Sequence, residues 1–210
     1  MPGFCYTYGM FDIHKFPLVS DQIEYPELAV IIRYLEKVLQ REVVGDVVEL
    51  GCYTGTTSLF IQRVLQQVRP PKTFHVYDSF AGLPPKTIQD NSPVGEQFKA
   101  GELHATKQQL IKNFKQAGLP LPIIHKTWFE QLTTADIPSH IAFAFLDGDF
   151  YTSIQSSLNV ITPQLSPGSI IIVDDYQSEA LPGARKAVDE WARHNGRDVR
   201  AEQSLAIIQC

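Results

Sequence analysis

Acidic residues close four apolar runs in this 210-residue chain: Glu49, Asp78, Asp147 and the adjacent pair Asp174 and Asp175. In the middle of a buried strand a carboxylate is costly, but at a strand end it can face a ligand crevice. The first group is VVELGCYTG (47–55) with Asp78 beyond it. Gly51 and Gly55 allow a sharp turn and a close backbone approach to a ligand. Their spacing departs from the dinucleotide fingerprint, and Glu49 would repel a pyrophosphate. Glu49 suits the ammonium of an amino acid instead. Asp78 follows Gly55 by about 20 residues, the interval at which an acidic residue meets ribose hydroxyls. A ligand with both ends is S-adenosylmethionine. Cys52, Tyr53, Thr57, Ser58, Ser79 and Phe80 flank the two turns and join the expected donor contacts. Trp128 and Phe129, after a third apolar run, could stack on adenine or simply pack in the core. The plainer alternative for the whole segment is a strand–turn–helix junction with threonines capping the helix.

The second group is Asp147, Asp149, Asp174 and Asp175. If the strands that end here are neighbours, their ends lie about 5 Å apart, within reach of one cation. Carboxylates crowded in this way repel unless they are protonated or bound to metal. Oxygen-only ligands favour a hard ion, Mg²⁺ before Ca²⁺ or Mn²⁺. Asp147, Asp174 and Asp175 are the expected ligands and Asp149 the candidate general base. Helix capping by one or two of them is the simpler alternative.

The elements that must position these residues follow from hydrophobic periodicity. Strands are predicted at 43–50, 73–78, 122–127, 141–147 and 169–175, with a closing pair at 198–202 and 204–209. Helices are predicted from Pro26 to Leu39 and over 56–68, 105–117, 151–161 and 183–194, and a turn over 163–168. The loop after Asp78 is long and rich in Pro and Gly, as functional covers are. The first two dozen residues show no clear period and read as a lid or a partner-binding arm. Alternating strands and helices build a mostly parallel α/β sheet with helices on both faces, a Rossmann-like arrangement. One domain over 1–210 is expected.

The totals fit that reading. The net charge of −5 argues against a nucleic-acid grip, which needs a basic face. Cys5, Cys52 and Cys210 are far apart and odd in number, so a reducing cytoplasm is the expected compartment. No leader pattern and no membrane-length apolar run is visible.

VVELGCYTG, YDSFAGLPP, TWFEQL, FLDGDFYTSI, LSPGSIIIVDDY and ARKAVDEW run in order from Val47 to Trp191. Together they resemble the macrocin O-methyltransferase (TylF-like) group of metal-dependent sugar methyltransferases. The resemblance implies a class I methyltransferase fold with a seven-stranded sheet, S-adenosylmethionine as donor, Mg²⁺, and transfer to a sugar hydroxyl. By motif position it implies Asp147, Asp174 and Asp175 as metal ligands, Asp149 as base, and Glu49, Gly51 and Asp78 as donor contacts. The chain departs from the pattern at Thr54, Phe150 and Thr152, where a basic residue, Leu and Glu are usual. The stretch before Val47 is also short for the group. Two other classes compete: a metal-dependent glycosyltransferase using D-x-D, and a non-catalytic module that binds the donor alone. The first leaves ELGCYTG and Asp78 without a task. Whether the chain forms a homo-oligomer is left open.

Overall fold

The computed structural model describes residues 11–210. Residues 1–10, which include Cys5 and the start of the expected arm, lie outside the described residues. Among residues 11–210 seven strands form one sheet: β1 (Asp46–Leu50), β2 (Phe74–Asp78), β3 (Ile123–Lys126), β4 (Ile141–Leu146), β5 (Leu165–Val173), β6 (Val199–Glu202) and β7 (Leu205–Gln209). The order across the sheet is β3-β2-β1-β4-β5-β7-β6. β1 to β5 run parallel, while β7 lies antiparallel to both β5 and β6. The order reverses between β1 and β4, so the crevice at their carboxyl ends is the switch point where such sheets bind ligands.

Among the described residues five α-helices cover the sheet: α1 (Tyr25–Gln40), α2 (Thr56–Leu65), α3 (Lys107–Gln116), α4 (Tyr151–Ile161) and α5 (Pro182–Asn195). Strand side chains alternate between two cores. Phe143, Phe145, Ile170 and Ile172 pack with α1 and α2, whereas Ala144, Leu146, Ile171 and Val173 pack with α4 and α5. Both faces are thus buried, which is why β4 reads IAFAFL without a polar residue. α1 starts where Glu24 and Glu27 form a reciprocal capping box and Pro26 occupies the first turn.

Most boundaries move by one to four residues from the sequence expectation, α2 for example ending at Leu65, and two of the shifts have a visible cause. β1 begins at Asp46, because Gly45 turns with φ +115° against the carbonyl of His140. The turn expected over 163–168 is a short 3₁₀ segment, Thr162–Gln164, followed directly by strand. Leu165 already pairs with Ile141, and the register shifts before Phe143 pairs with Ile170. That irregularity absorbs Pro167, which has no N–H to donate to a ladder.

Of the expected arm, the described part is ordered against the core. Phe11 and Phe16 stack at 5.7 Å, and both meet Phe60 of α2 edge-on. The Arg63 guanidinium lies 4.2 Å above the Phe16 ring. The segment ends with the Ser20 hydroxyl 2.7 Å from that of Thr56.

Candidate functional site

The strand ends are stitched together by backbone hydrogen bonds, so the turns after them form one rigid platform. Gly51 N–H donates to Tyr77 O at 2.9 Å, Asp147 N–H to Leu50 O at 2.8 Å, and Asp174 N–H to Leu146 O at 2.9 Å. Gly51 has φ +94°, and a Cβ there would stand 1.8 Å from the Asp147 carbonyl oxygen. Only glycine fits where the two turns touch.

A cavity of about 210 Å³ opens above this platform. Gly51, Cys52, Tyr53, Asp78, Ser79, Trp128 and Phe129 line one part of it, and Asp147, Asp149, Asp174 and Asp175 another. Asp78 is the brace of the first part. Its Oδ2 accepts from Cys52 N–H at 2.9 Å and Tyr53 N–H at 3.3 Å, and its Oδ1 from Phe80 N–H at 2.7 Å. The carboxylate therefore locks two turns, and Oδ1 keeps a lone pair for a ligand hydroxyl. The Cys52 thiol is pushed well above its ordinary range, first by burial and then by Asp78, so it stays protonated and unreactive.

Other expected donor contacts lie behind the wall. Glu49 is fully buried, its Oε2 accepts a short hydrogen bond from the Ser58 hydroxyl, and its Oε1 has no hydrogen-bond partner. Burial raises the Glu49 carboxyl to about 8, with Asp78 adding to the shift and the Ser58 bond opposing it. Gly55 caps α2 in a left-handed conformation, Thr57 and Ser58 are buried in that helix's first turn, and Phe80 belongs to the core. Against the expectation of direct contact, these five support the turn and do not line the cavity.

On the acidic side the strand ends are indeed neighbours. Carboxylate oxygens of Asp147, Asp149 and Asp175 all lie within 4.8 Å of one another. Asp149 thus joins the tight trio that sequence reasoning assigned to Asp174. Asp174 stands beside it, with Oδ1 accepting from Asp175 N–H at 2.8 Å and from the Ser204 hydroxyl at 3.4 Å. Burial pushes Asp147 and Asp175 well up, with Asp174 the next cause in both. Asp149 and Asp174 rise to about 7, again first through burial. Such mutual repulsion in an all-oxygen donor set fits a hard divalent cation. Asp149 and Asp175 both hold left-handed backbone, φ +58° and +57°, a strained state of the kind found at functional sites.

Several lining residues were not legible in the sequence. Asp21 and Gln22 come from the segment before α1, and Leu83, Phe98, Leu103 and Leu181 form an apolar wall. The first three of these four lie in the long loop after β2, which does cover the cavity, as its length suggested. Leu83 is tied back to Gly101 and Glu102 by two backbone bonds of 2.9 Å. No periodic signal marks such residues. Only the loop's length pointed to them.

A profile of the macrocin-O-methyltransferase (TylF) family matches residues 26–203. The chain is 31% identical over 169 residues to the 8-demethyl-8-(2,3-dimethoxy-alpha-L-rhamnosyl)-tetracenomycin-C 4'-O-methyltransferase of Streptomyces olivaceus, covering 77% of this chain and 63% of that protein. It is 30% identical over 172 residues to the mycinamicin III 3''-O-methyltransferase of Micromonospora griseorubida, covering 77% and 66%. The chain thus spans a little under two thirds of the length of these curated relatives. The solved structure of the O-methyltransferase NovP superposes with a TM-score of 0.74 at 27% identity, covering 89% of this chain and 80% of that one. The calicheamicin methyltransferase CalS11, at 18% identity and a TM-score of 0.72 over 87% and 78% of the two chains, shares the fold. The architecture is that of class I methyltransferases, a mostly parallel seven-stranded sheet closed by one antiparallel hairpin. With its glycine turn, its acidic strand ends and a match across residues 26–203, the chain belongs to the macrocin-O-methyltransferase (TylF) family.

Proposed function

We propose that this chain transfers a methyl group from S-adenosylmethionine to a hydroxyl of a sugar or sugar-bearing natural product, with Mg²⁺ held at the acidic strand ends. The observation that carries the reading is the single cavity that joins the Asp78-braced turn to the carboxylate cluster. Family membership and the two named relatives, one named for a rhamnosyl-bearing tetracenomycin and the other for mycinamicin III, support the acceptor class.

The donor, when bound, supplies a methyl on a sulfonium, and a divalent cation supplies charge that lowers the pKa of an acceptor hydroxyl. The chain's own residues do the rest. Asp78 would hold the ribose hydroxyls, the Gly51–Tyr53 turn the amino-acid end, and Trp128 and Phe129 the adenine. Glu49 supports that turn from behind through Ser58. Asp147, Asp174 and Asp175 would hold the cation, with Asp174 committing Oδ1 to hydrogen bonds and leaving Oδ2 for it. Asp149, held among them, accepts the hydroxyl proton on its carboxylate. The rigid platform fixes donor and acceptor in line, which removes much of the entropic barrier. The long loop's apolar wall excludes water from the site.

Calorimetric titration with S-adenosylhomocysteine, a UDP-sugar and Mg²⁺ tests the reading. The expected result is binding of S-adenosylhomocysteine and of Mg²⁺, with no uptake of the UDP-sugar. Binding of the UDP-sugar alone would favour the glycosyltransferase. Donor-product binding with no Mg²⁺ uptake would reduce the chain to the non-catalytic module.

A further inference from the structure

The acidic cluster is fastened to the far end of the chain. β6 and β7 form a hairpin in which Glu202 pairs with Leu205, so Gln203 and Ser204 make its two-residue turn. Gln203 adopts φ +54° there. β7 lies beside β5, and this brings the turn next to Asp174 at the end of β5. Ser204 grips the segment after β5 at two points. Its hydroxyl lies 3.4 Å from Asp174 Oδ1, and its carbonyl accepts from Gln177 N–H at 3.1 Å. On its other side the same hydroxyl makes a short hydrogen bond to Glu27 Oε1. Glu27 is itself fixed, because its Oε2 accepts from Glu24 N–H at 3.1 Å in the cap of α1.

We propose that Ser204, backed by Glu27, is a positioning residue for the cation: it ties down Asp174 Oδ1 so that only Oδ2 is left to ligate. This rests on the cation site proposed above. A carboxylate whose second oxygen is hydrogen-bonded loses less rotational freedom when it takes up metal, and such outer partners commonly set affinity. One hydroxyl carries one proton, so Ser204 donates to Asp174 Oδ1 or to Glu27 Oε1 and not to both at once, and as a neutral dipole between them it spaces the two carboxylates. No hydrocarbon side chain at position 204 can do that. The arrangement also explains why the chain continues past the five parallel strands: the hairpin brings a polar group to the centre from outside the βα repeat.

The test is the affinity of the donor-free protein for Mn²⁺, read by electron paramagnetic resonance, beside S-adenosylhomocysteine affinity read by calorimetry. Ser204→Ala and Ser204→Cys are each expected to weaken Mn²⁺ binding by about tenfold, the lower end for outer-shell partners. S-adenosylhomocysteine affinity should stay within twofold of wild type on the order-of-magnitude reading that distant sites act independently. Ser204→Thr, which keeps the hydroxyl, should restore Mn²⁺ binding. Wild-type Mn²⁺ affinity in the folded alanine or cysteine variant overturns the inference and leaves the proposed function standing. A wild-type protein that takes up no Mn²⁺ overturns both. Equal loss of Mn²⁺ and S-adenosylhomocysteine binding would make Ser204 a general fold residue and overturn the inference as well.

Discussion

Asp149 and Asp174 have chemically identical side chains, yet their surroundings give them different tasks. Asp174 has one oxygen engaged by the Asp175 amide and Ser204, whereas Asp149 is held by a strained backbone among the other carboxylates. Asp149→Asn should lower kcat by about 10²–10⁴-fold, the usual worth of a general base, with cation affinity changing much less. Asp174→Asn should do the reverse, weakening Mg²⁺ binding first. If calorimetry showed the two losses exchanged, base and ligand would have to change places. Glu49 gives a second prediction, in pH. Its carboxyl is raised from an ordinary 4.5 to about 8, so the folded chain keeps a proton that the unfolded chain releases. This contribution to stability is complete below 4.5 and is lost as pH climbs toward about 8. Glu49→Gln, which carries no titratable charge, should therefore gain thermal stability over wild type at pH 8 and show little difference at pH 5. A gap that is the same at both pH values would mean that Glu49 is not protonated in the fold. The sequence placed Glu49 at the right turn but aimed it at the ligand. Its direction depends on Ser58, nine residues on, which no spacing rule connects to it.

The long loop between β2 and α3 is pinned at one buried residue. Asp90, 1% exposed, accepts from Thr87 N–H, the Thr87 hydroxyl and Tyr151 N–H at 2.7–2.8 Å. It thereby caps α4 from outside that helix, and Gly183 leaves room for it: a Cβ there would stand 1.9 Å from Asp90 Oδ1. Asp90→Ala removes the acceptor of the part-buried Thr87 and Tyr151 amides and should cost about 1–3 kcal/mol, read as a drop in thermal midpoint and faster proteolysis between residues 84 and 103. An unchanged cleavage rate would detach the loop from this anchor. The regular elements were legible because their periods are strong. Tyr151–Ile161 is found as predicted, and the apolar runs IAFAFL and SIIIV became neighbouring parallel strands. The loop and the segment before α1 were not, because Asp90, Phe98, Asp21 and Gln22 take their positions from single side-chain bonds and contacts. The strand ends and the gathering of the four aspartates at them could be placed from sequence, but which three of the four stand closest together could not. A strand's period sets the face on which a residue emerges, and beyond its last residue backbone torsion takes over.

At the scale of the molecule, the fold gathers four raised carboxylates at one end of the sheet, and their repulsion opposes folding in the absence of a counter-charge. A divalent cation should therefore stabilise the whole chain. At a hundredfold excess over Kd the linkage is about 2.7 kcal/mol, and for a chain of this size that is a rise of roughly 5–10 °C in thermal midpoint. Scanning fluorimetry with Mg²⁺ against chelator checks this, and coincident melts would remove the cation from the site. Among the described residues no helix is long and apolar enough to cross a membrane. The contact between Gly51 and the Asp147 carbonyl has a consequence for how such a protein can diverge. Where the two turns meet there is no room for even a methyl group, so neither can drift without displacing the other. The loop after β2 and the segment before α1 reach the cavity from outside that contact, so apart from anchors such as Asp90 they can vary without disturbing it. Descendants of this chain could thus exchange one acceptor for another by rewriting those two stretches while inheriting the same reaction unaltered.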